Sequence, residues 1–150
     1  MIHYQIIEGI PEVSILSKVL ELYQNNFDSE FPTNGFIYEV EKKRNLLFNL
    51  AFVDKKLIGY KVGYEKKIDV FYSWLGGVHK DYRQQGIASK LMKEQHQWLV
   101  HHQFKRVRTH TSNDFKAMLI CNLKAGFDIT GTNLTKKGEL RLILQKSLTK

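Results

Sequence analysis

The chain has 150 residues, 43% of them apolar, and a formal net charge of +8. This length suits one ordinary domain, so we expect a single domain over residues 1–150, and the apolar fraction excludes a disordered chain. No apolar run approaches the length of a membrane helix, the N-terminus lacks the pattern of a signal peptide, and Cys121 is the single cysteine. These features favour a cytoplasmic protein that does not cross a membrane.

In chain order, the pattern predicts a strand at 3–8 and a helix that starts near Pro11 and runs to about residue 24. A turn-rich loop at 25–35 carries Asp28 and Glu30. We then expect a short helix at 36–44 and three antiparallel strands at 46–53, 57–65 and 70–78.

The second half alternates helices and strands. A helix should begin near residue 87, and a strand at 105–111 should return parallel to strand 70–78, as expected for a strand that follows a crossover helix. A further helix should begin near Asn113, capped by Thr111 or Ser112, and end at Gly126. A hairpin of strands 127–132 and 139–146 completes a mixed α/β domain.

The most informative stretch joins strand 70–78 to the helix that follows. The strand ends in Gly76 and Gly77, and the loop after it reads Arg83-Gln84-Gln85-Gly86-Ile87-Ala88. A glycine at a helix N-terminus leaves backbone N–H groups open to an anion, which predicts a phosphate or pyrophosphate site. The spacing matches neither a Walker loop nor a dinucleotide-binding fingerprint.

The positions of Val78, Arg83, Gly86 and Ala88 resemble the coenzyme A signature V-x-x-x-x-R-x-x-G-x-[GA] of the GNAT family of N-acetyltransferases. The segment 113–127, which starts with an asparagine and ends in Gly-Phe, is similar to a later helix of that family. The resemblance covers roughly residues 45–145. It implies the family's fold, a mixed and mostly antiparallel sheet that splays at its parallel strand pair and is flanked by helices.

The resemblance also implies a coenzyme site. The pyrophosphate of acetyl-CoA would meet the backbone N–H groups of Gln84, Gln85, Gly86, Ile87 and Ala88, with Arg83 beside them. The pantetheine arm would bond along Leu75, Gly76, Gly77 and Val78, and a bulge at Gly76-Gly77 would splay the strand. Asn113 and Asn122 are the other expected coenzyme contacts.

The implied activity is transfer of acetyl from acetyl-CoA to a primary amine of a small molecule or peptide by direct attack in a ternary complex. Backbone N–H groups at Val78 could polarise the thioester carbonyl. Candidate bases are Glu30, Asp28 and Asp69, with Tyr72 as a polar group on the central strand. Asn122 stands where many members of the family carry a tyrosine that protonates the leaving thiolate, and its spacing with Phe115, Met118 and Leu119 predicts that it points inward.

The sequence alone leaves two other functions open. A coenzyme sensor without turnover would fit the asparagine at 122, and a basic RNA-binding module would fit the net charge. The lysines and arginines are scattered, however, so we expect a solvated surface and neither a nucleic-acid nor a membrane partner. We expect no metal site, no serine hydrolase and no cysteine nucleophile at Cys121, whereas a homodimer would be common for the family.

Overall fold

The structure is a computed structural model that describes residues 1–27 and 33–149. Its order confirms the predicted succession of strands and helices, with bounds that differ by a few residues. The elements are β1 (Ile2–Glu8), α1 (Val13–Phe27), α2 (Thr33–Lys42), β2 (Arg44–Val53), β3 (Lys56–Lys67), β4 (Val70–Val78), α3 (Ile87–His101), β5 (Arg106–Thr111), α4 (Lys116–Lys124), β6 (Asp128–Leu134) and β7 (Leu140–Ser147). A single 3-10 turn at Lys80–Tyr82 lies between β4 and α3.

The strands form one seven-stranded sheet in the order β1-β2-β3-β4-β5-β7-β6. Every neighbouring pair is antiparallel except β4 and β5, which are parallel because α3 carries the chain back across the sheet. The predicted mixed sheet with one parallel pair at β4 and β5 is therefore confirmed.

The two faces of the sheet carry separate cores. Strand residues alternate between faces, so Phe48 and Leu50 of β2 pack toward α1, while Leu47 and Ala51 pack toward α3. All four side chains are fully buried. Away from the bulges of the strands, this alternation allows the face of a residue near the centre of the sheet to be read from its neighbours.

The predicted start of the last helix is wrong. The carbonyl of Ser112 accepts a hydrogen bond from the N–H of Phe115, so the chain turns once before α4 begins at Lys116. Phe115 occupies the N-cap without a side-chain hydrogen bond, and neither Thr111 nor Ser112 caps the helix. Gly126 has φ +100° and ends the helix region as predicted.

None of the helices in the described ranges is long and apolar enough to cross a membrane.

Candidate active site

The parallel strands β4 and β5 separate part-way along their length. They pair from Val70 opposite Arg106 to Ser73 opposite Thr109, where the Thr109 hydroxyl donates a 3.0 Å hydrogen bond to the Ser73 carbonyl. Beyond this point β4 stays paired with β3 as far as Val78, while β5 stays paired with β7. The segment 74–78 therefore has a free backbone edge on the side of β5, and the predicted splay is present.

The bulge that accompanies the splay is not at Gly76-Gly77. Leu75 and Ser73 lie opposite the consecutive residues Val62 and Gly63, which makes Trp74 the extra residue. The indole of Trp74 stacks on Phe36 at a centroid distance of 6.2 Å, which accounts for the packing of the bulged residue. Gly76 and Gly77 instead continue in regular pairing with β3.

The backbone groups that face the free edge follow from the pairing with β3. The N–H of His79 donates to the carbonyl of Ile58 at 2.7 Å. Because orientation alternates along an antiparallel strand, Gly77 also faces β3, whereas Gly76 and Val78 face the opening. The carbonyl of Val78 is reached from that side by Arg83 Nε at 3.1 Å, as this alternation requires. The N–H and C=O of Gly76 and the N–H of Val78 are thus directed toward the space that a bound chain with amide groups could fill.

The N-terminus of α3 lies at the end of this edge. Gly86 is the N-cap with φ +78°, and no side chain of a described residue caps the helix. A Cβ atom at Gly86 would have nothing within 4 Å, so the left-handed backbone and the open space both favour glycine. Ile87 is 1% exposed and anchors the loop in the core, which fixes the direction of the uncapped N–H groups. The predicted residues Gln84 to Ala88 are therefore grouped as an anion site requires.

Arg83 has a bracing role in this loop. Its guanidinium donates to the Val78 carbonyl and, at 3.5 Å, to the side-chain oxygen of Asn26 at the end of α1. The loop is thereby tied to β4 and to α1. Donors that remain on the guanidinium are exposed beside the Gly86 loop.

Two buried polar atoms lie next to Gly77 on the α1 side of β4. A Cβ atom at Gly77 would clash with Asn26 Nδ2 and would lie 2.8 Å from the Tyr60 hydroxyl. Both atoms are buried, and the Tyr60 hydroxyl interacts with the Asn26 side chain, which partly offsets the rise in the Tyr60 pKa that burial causes. Glycine is required here because both side chains approach the backbone closely.

Tyr72 and His110 meet where the two strands part. The Tyr72 hydroxyl lies 3.0 Å from His110 Nδ1, and both side chains are on the face opposite α3. Burial raises the pKa of Tyr72 to about 12. Burial, followed by the positive charges of Arg141, Lys66 and Arg108, lowers the pKa of His110 to about 4. Both groups are therefore neutral near pH 7. Tyr72 was predicted from the sequence, but His110 was not, because only the parallel register brings it to Tyr72.

A buried lysine lies on the opposite face of the opening. Lys61 of β3 is 8% exposed, and its ammonium would be 3.8 Å from a Cβ atom at Gly76. No carboxylate of a described residue lies within ion-pair distance of it. Burial lowers the pKa of Lys61 to about 8. The sequence did not predict that Lys61 is buried, since a lysine in an alternating strand usually points to solvent.

The remaining predicted residues have different outcomes. Asn122 is 3% exposed and points inward as predicted, whereas Phe115 is 46% exposed, so the apolar face predicted for α4 is only partly buried. Asn113 is exposed in the turn before α4. Asp69 directly precedes β4, and its carboxylate lies 3.7 Å from Lys105 Nζ, so its role as a base stays a prediction from the sequence. Asp28 and Glu30 lie outside the described residues.

A broad groove of about 930 Å³ runs between α3 and α4. It begins at Ser89, next to the Gly86 loop, and contains Cys121, whose Sγ lies 3.9 Å from Ser89 Oγ. Lys93, Lys124 and Lys146 line it without a carboxylate among the lining residues. Its charge therefore suits the anionic end of a ligand whose other end enters the opening between β4 and β5. Within the described ranges, no cluster of three histidine, cysteine or acidic residues could hold a metal ion.

Several solved structures have a fold similar to that of this chain. The ribosomal-protein-S18-alanine N-acetyltransferase from Escherichia coli has a TM-score of 0.82 at 14% identity, with 99% of this chain and 96% of that chain covered. The PaiA N-acetyltransferase from Thermoplasma acidophilum in complex with coenzyme A has a TM-score of 0.72 at 15% identity, with 97% and 99% covered. Ard1 from Thermoplasma volcanium has a TM-score of 0.78 at 18% identity, with 98% and 99% covered. At these identities the likeness concerns the fold alone.

A search among curated protein sequences finds no significant match. The family model described as "Acetyltransferase (GNAT) family" matches residues 16–127. The match begins well before residue 45, where the sequence resemblance begins, and it covers the Gly86 loop, the opening between β4 and β5, and α4. The chain therefore belongs to the GNAT acetyltransferase family, whose members are acyltransferase enzymes that use acetyl-CoA.

Proposed function

We propose that this protein transfers acetyl from acetyl-CoA to a primary amine by direct attack of the amine within a ternary complex. The observation that carries the proposal is the free edge of β4. It leads from the uncapped N-terminus of α3 at Gly86 to the Tyr72–His110 pair. One ligand can therefore reach both an anion site and a reactive site in a single extended conformation.

The coenzyme fits this path in three parts. Its pyrophosphate would accept hydrogen bonds from the N–H groups at Gln84 to Ala88. Its pantetheine amides would pair with Gly76 and Val78 on the free edge, as an added strand would. Its nucleotide end would lie toward the groove between α3 and α4, where Lys93 and Lys124 favour negative charge.

The chemistry needs little more than positioning. The amine nitrogen attacks the thioester carbonyl carbon, a C–N bond forms, the C–S bond breaks, and coenzyme A leaves as the thiolate. A backbone N–H on the free edge would polarise the carbonyl. Because the N–H of Val78, the candidate named from the sequence, pairs with the pantetheine arm in this arrangement, the donor to the carbonyl would lie nearer to the Tyr72–His110 pair. The proton lost by the attacking nitrogen would pass to water or to a carboxylate, for which Asp28 and Glu30, which precede α2 in the sequence, remain the candidates.

Tyr72, His110 and Asn122 are assigned supporting roles. Tyr72 stays protonated and can donate to His110 Nδ1, which puts the imidazole proton on Nε2. A histidine whose pKa is lowered to about 4 is a weak general base at neutral pH, so we assign it to orientation of the acceptor. Asn122 can donate a hydrogen bond but cannot supply a proton, so the thiolate leaves without it.

Several properties remain predictions from the sequence. They are the single domain over residues 1–150, the cytoplasmic location, the homodimer and the identity of the acceptor. None of them enters the argument for acetyl transfer.

The test is a screen of primary amines with acetyl-CoA that follows free thiol and the mass of the product. The panel should contain diamines, amino acids, their amides and short peptides. We expect thiol release that depends on one class of amine and a product heavier by one acetyl group. Tight coenzyme binding without amine-dependent release from any class would instead indicate the coenzyme sensor.

A further inference from the structure

We propose that the acceptor amine carries a carboxylate, and that Arg108 and Arg141 bind this carboxylate beside the Tyr72–His110 pair. The inference rests on the proposed acetyl transfer and specifies the class of its acceptor. It is drawn from the side chains on the sheet face opposite α3, which we call the basic face: Lys66, Tyr72, Arg108, His110, Arg141 and Gln145.

These residues share one face because of the strand register. Tyr72 lies opposite Arg108 in the parallel pair, and Arg108 lies opposite Gln145 in the next pair. His110 and Arg141 follow on the same face by the two-residue alternation of β5 and β7. Lys66 lies with its ammonium 5.1 Å from the centre of the Tyr72 ring. The face is therefore a compact group of positive side chains around one tyrosine–histidine pair.

The positive charge of this face is not neutralised by the described part of the protein. Neither arginine nor Lys66 forms an ion pair with any carboxylate in residues 1–27 and 33–149. Charge from Arg141, Lys66 and Arg108 reaches His110 and contributes to its lowered pKa. An anionic ligand would find an attractive field here, whereas an amine with a second positive charge would be repelled.

Both guanidinium groups are held in place by neutral partners. Arg108 donates through Nε and Nη2 to Gln145 Oε1 at 3.3 and 3.0 Å, and Arg141 donates through Nε to Asn133 Oδ1 at 2.9 Å. An amide oxygen orients a guanidinium without cancelling its charge. Since a guanidinium has five N–H donors, each arginine keeps donors for a carboxylate.

The position of the basic face relative to the reacting carbon completes the argument. Tyr72 directly precedes Ser73, the last β4 residue paired with β5, and His110 directly follows its partner Thr109. The free edge of β4 ends at this point. An amine that attacks a thioester held on that edge therefore has its remaining atoms next to Arg108 and Arg141. These arginines are half-buried, so their attraction for a carboxylate is screened less than it would be on an open surface.

The test compares matched acceptors on the wild-type enzyme and on single variants. The acceptors are ω-amino acids of increasing chain length, the corresponding ω-amino amides, and the corresponding diamines. The variants are Arg141→Gln and Arg108→Gln, with Arg44→Gln as a control that removes the same charge. Arg44 is exposed, is already paired with Glu65, and lies at the start of β2, three strands from β5 in the sheet.

We expect the wild type to have a higher kcat/KM for an amino acid than for the amide and diamine of the same length. Arg141→Gln should raise the KM for the amino acid by about 10- to 100-fold, which is the range for a lost charge-assisted hydrogen bond, and should leave the KM for the amide nearly unchanged. Arg141→Glu should reverse the preference toward the diamine. The stabilisation that acetyl-CoA gives each variant shows whether it is folded.

Two different failures can be told apart. If amides or diamines are acetylated as well as amino acids, or if both glutamine variants behave like Arg44→Gln, the carboxylate site is refuted and the acetyl transfer stands. If no amine is acetylated although acetyl-CoA binds, the proposed function fails and this inference fails with it.

Discussion

The buried lysine gives a prediction whose size can be worked out from the structure. The pKa of Lys61 falls from 10.5 to about 8 because burial disfavours its charged form. A change of one pKa unit is worth about 1.4 kcal/mol, so holding the ammonium in the fold at pH 7 costs about 3 kcal/mol. Lys61→Met keeps an unbranched side chain as far as the ε-carbon and removes the ammonium with its charge. We therefore expect this variant to be more stable than the wild type by about 3 kcal/mol at pH 7.

The pH dependence of this stability difference shows whether the charge of Lys61 is its cause. Between about pH 8 and pH 10.5 the unfolded chain binds more protons at Lys61 than the folded chain. The cost of burying Lys61 therefore falls, and the free energy of unfolding of the wild type rises, as the pH increases through this range. The advantage of Lys61→Met should consequently shrink to about 1.5 kcal/mol near pH 9.5. Urea denaturation of both proteins at a series of pH values measures this difference, in which the other titrating groups cancel.

Lys67→Met is the matched control, since Lys67 lies at the exposed end of the same strand and should show neither effect. If Lys61→Met is less stable than the wild type, or if its advantage does not change with pH, the ammonium has a partner that the described residues do not supply. The reasoning from burial would then be refuted.

Three further predictions concern the opening between β4 and β5. Gly86→Glu should abolish the thermal stabilisation given by acetyl-CoA, because a carboxylate would occupy the anion site. Gly138→Glu, at another left-handed glycine in open space, should keep it, and equal changes in melting temperature for the two variants would show that the phosphates bind at another place. Gly77→Ala should lower the free energy of unfolding by about 1–3 kcal/mol because its Cβ meets the Tyr60 hydroxyl, whereas Gly76→Ala should be tolerated. A larger loss of stability in Gly76→Ala than in Gly77→Ala would contradict this packing. Asn122→Ala should reduce turnover by less than the ~100-fold expected for loss of a general acid, and a larger loss with intact coenzyme affinity would make Asn122 indispensable.

The coenzyme half of the site could be predicted from the sequence because its determinants are local. A strand that ends in glycines, a left-handed glycine at 86 and the apolar spacing of α3 each act within a few residues. Gln95 lies on the helix face that this spacing defines, and it is fully buried although it is polar. The order of strands followed from the same patterns and from the handedness of the crossover.

The acceptor half could not be predicted because it depends on register between distant segments. His110 meets Tyr72, and Arg108 meets Gln145, only once β4, β5 and β7 are paired. The bulge is set by Trp74, whose ring packs on Phe36 of a different element, and not by the adjacent glycines. An alternating lysine or histidine has no sequence signal that tells an inward position from an outward one.

The central claim is that the coenzyme binds as an added strand on the free edge of β4, and amide hydrogen exchange measured by NMR tests it residue by residue. The N–H groups of Gly76 and Val78 face the opening, while that of Gly77 faces β3 and serves as an internal control. Saturating coenzyme A should slow exchange at Gly76 and Val78 at least about 10-fold more than at Gly77. Unchanged exchange at Gly76 and Val78 in protein that has bound coenzyme A would contradict the account.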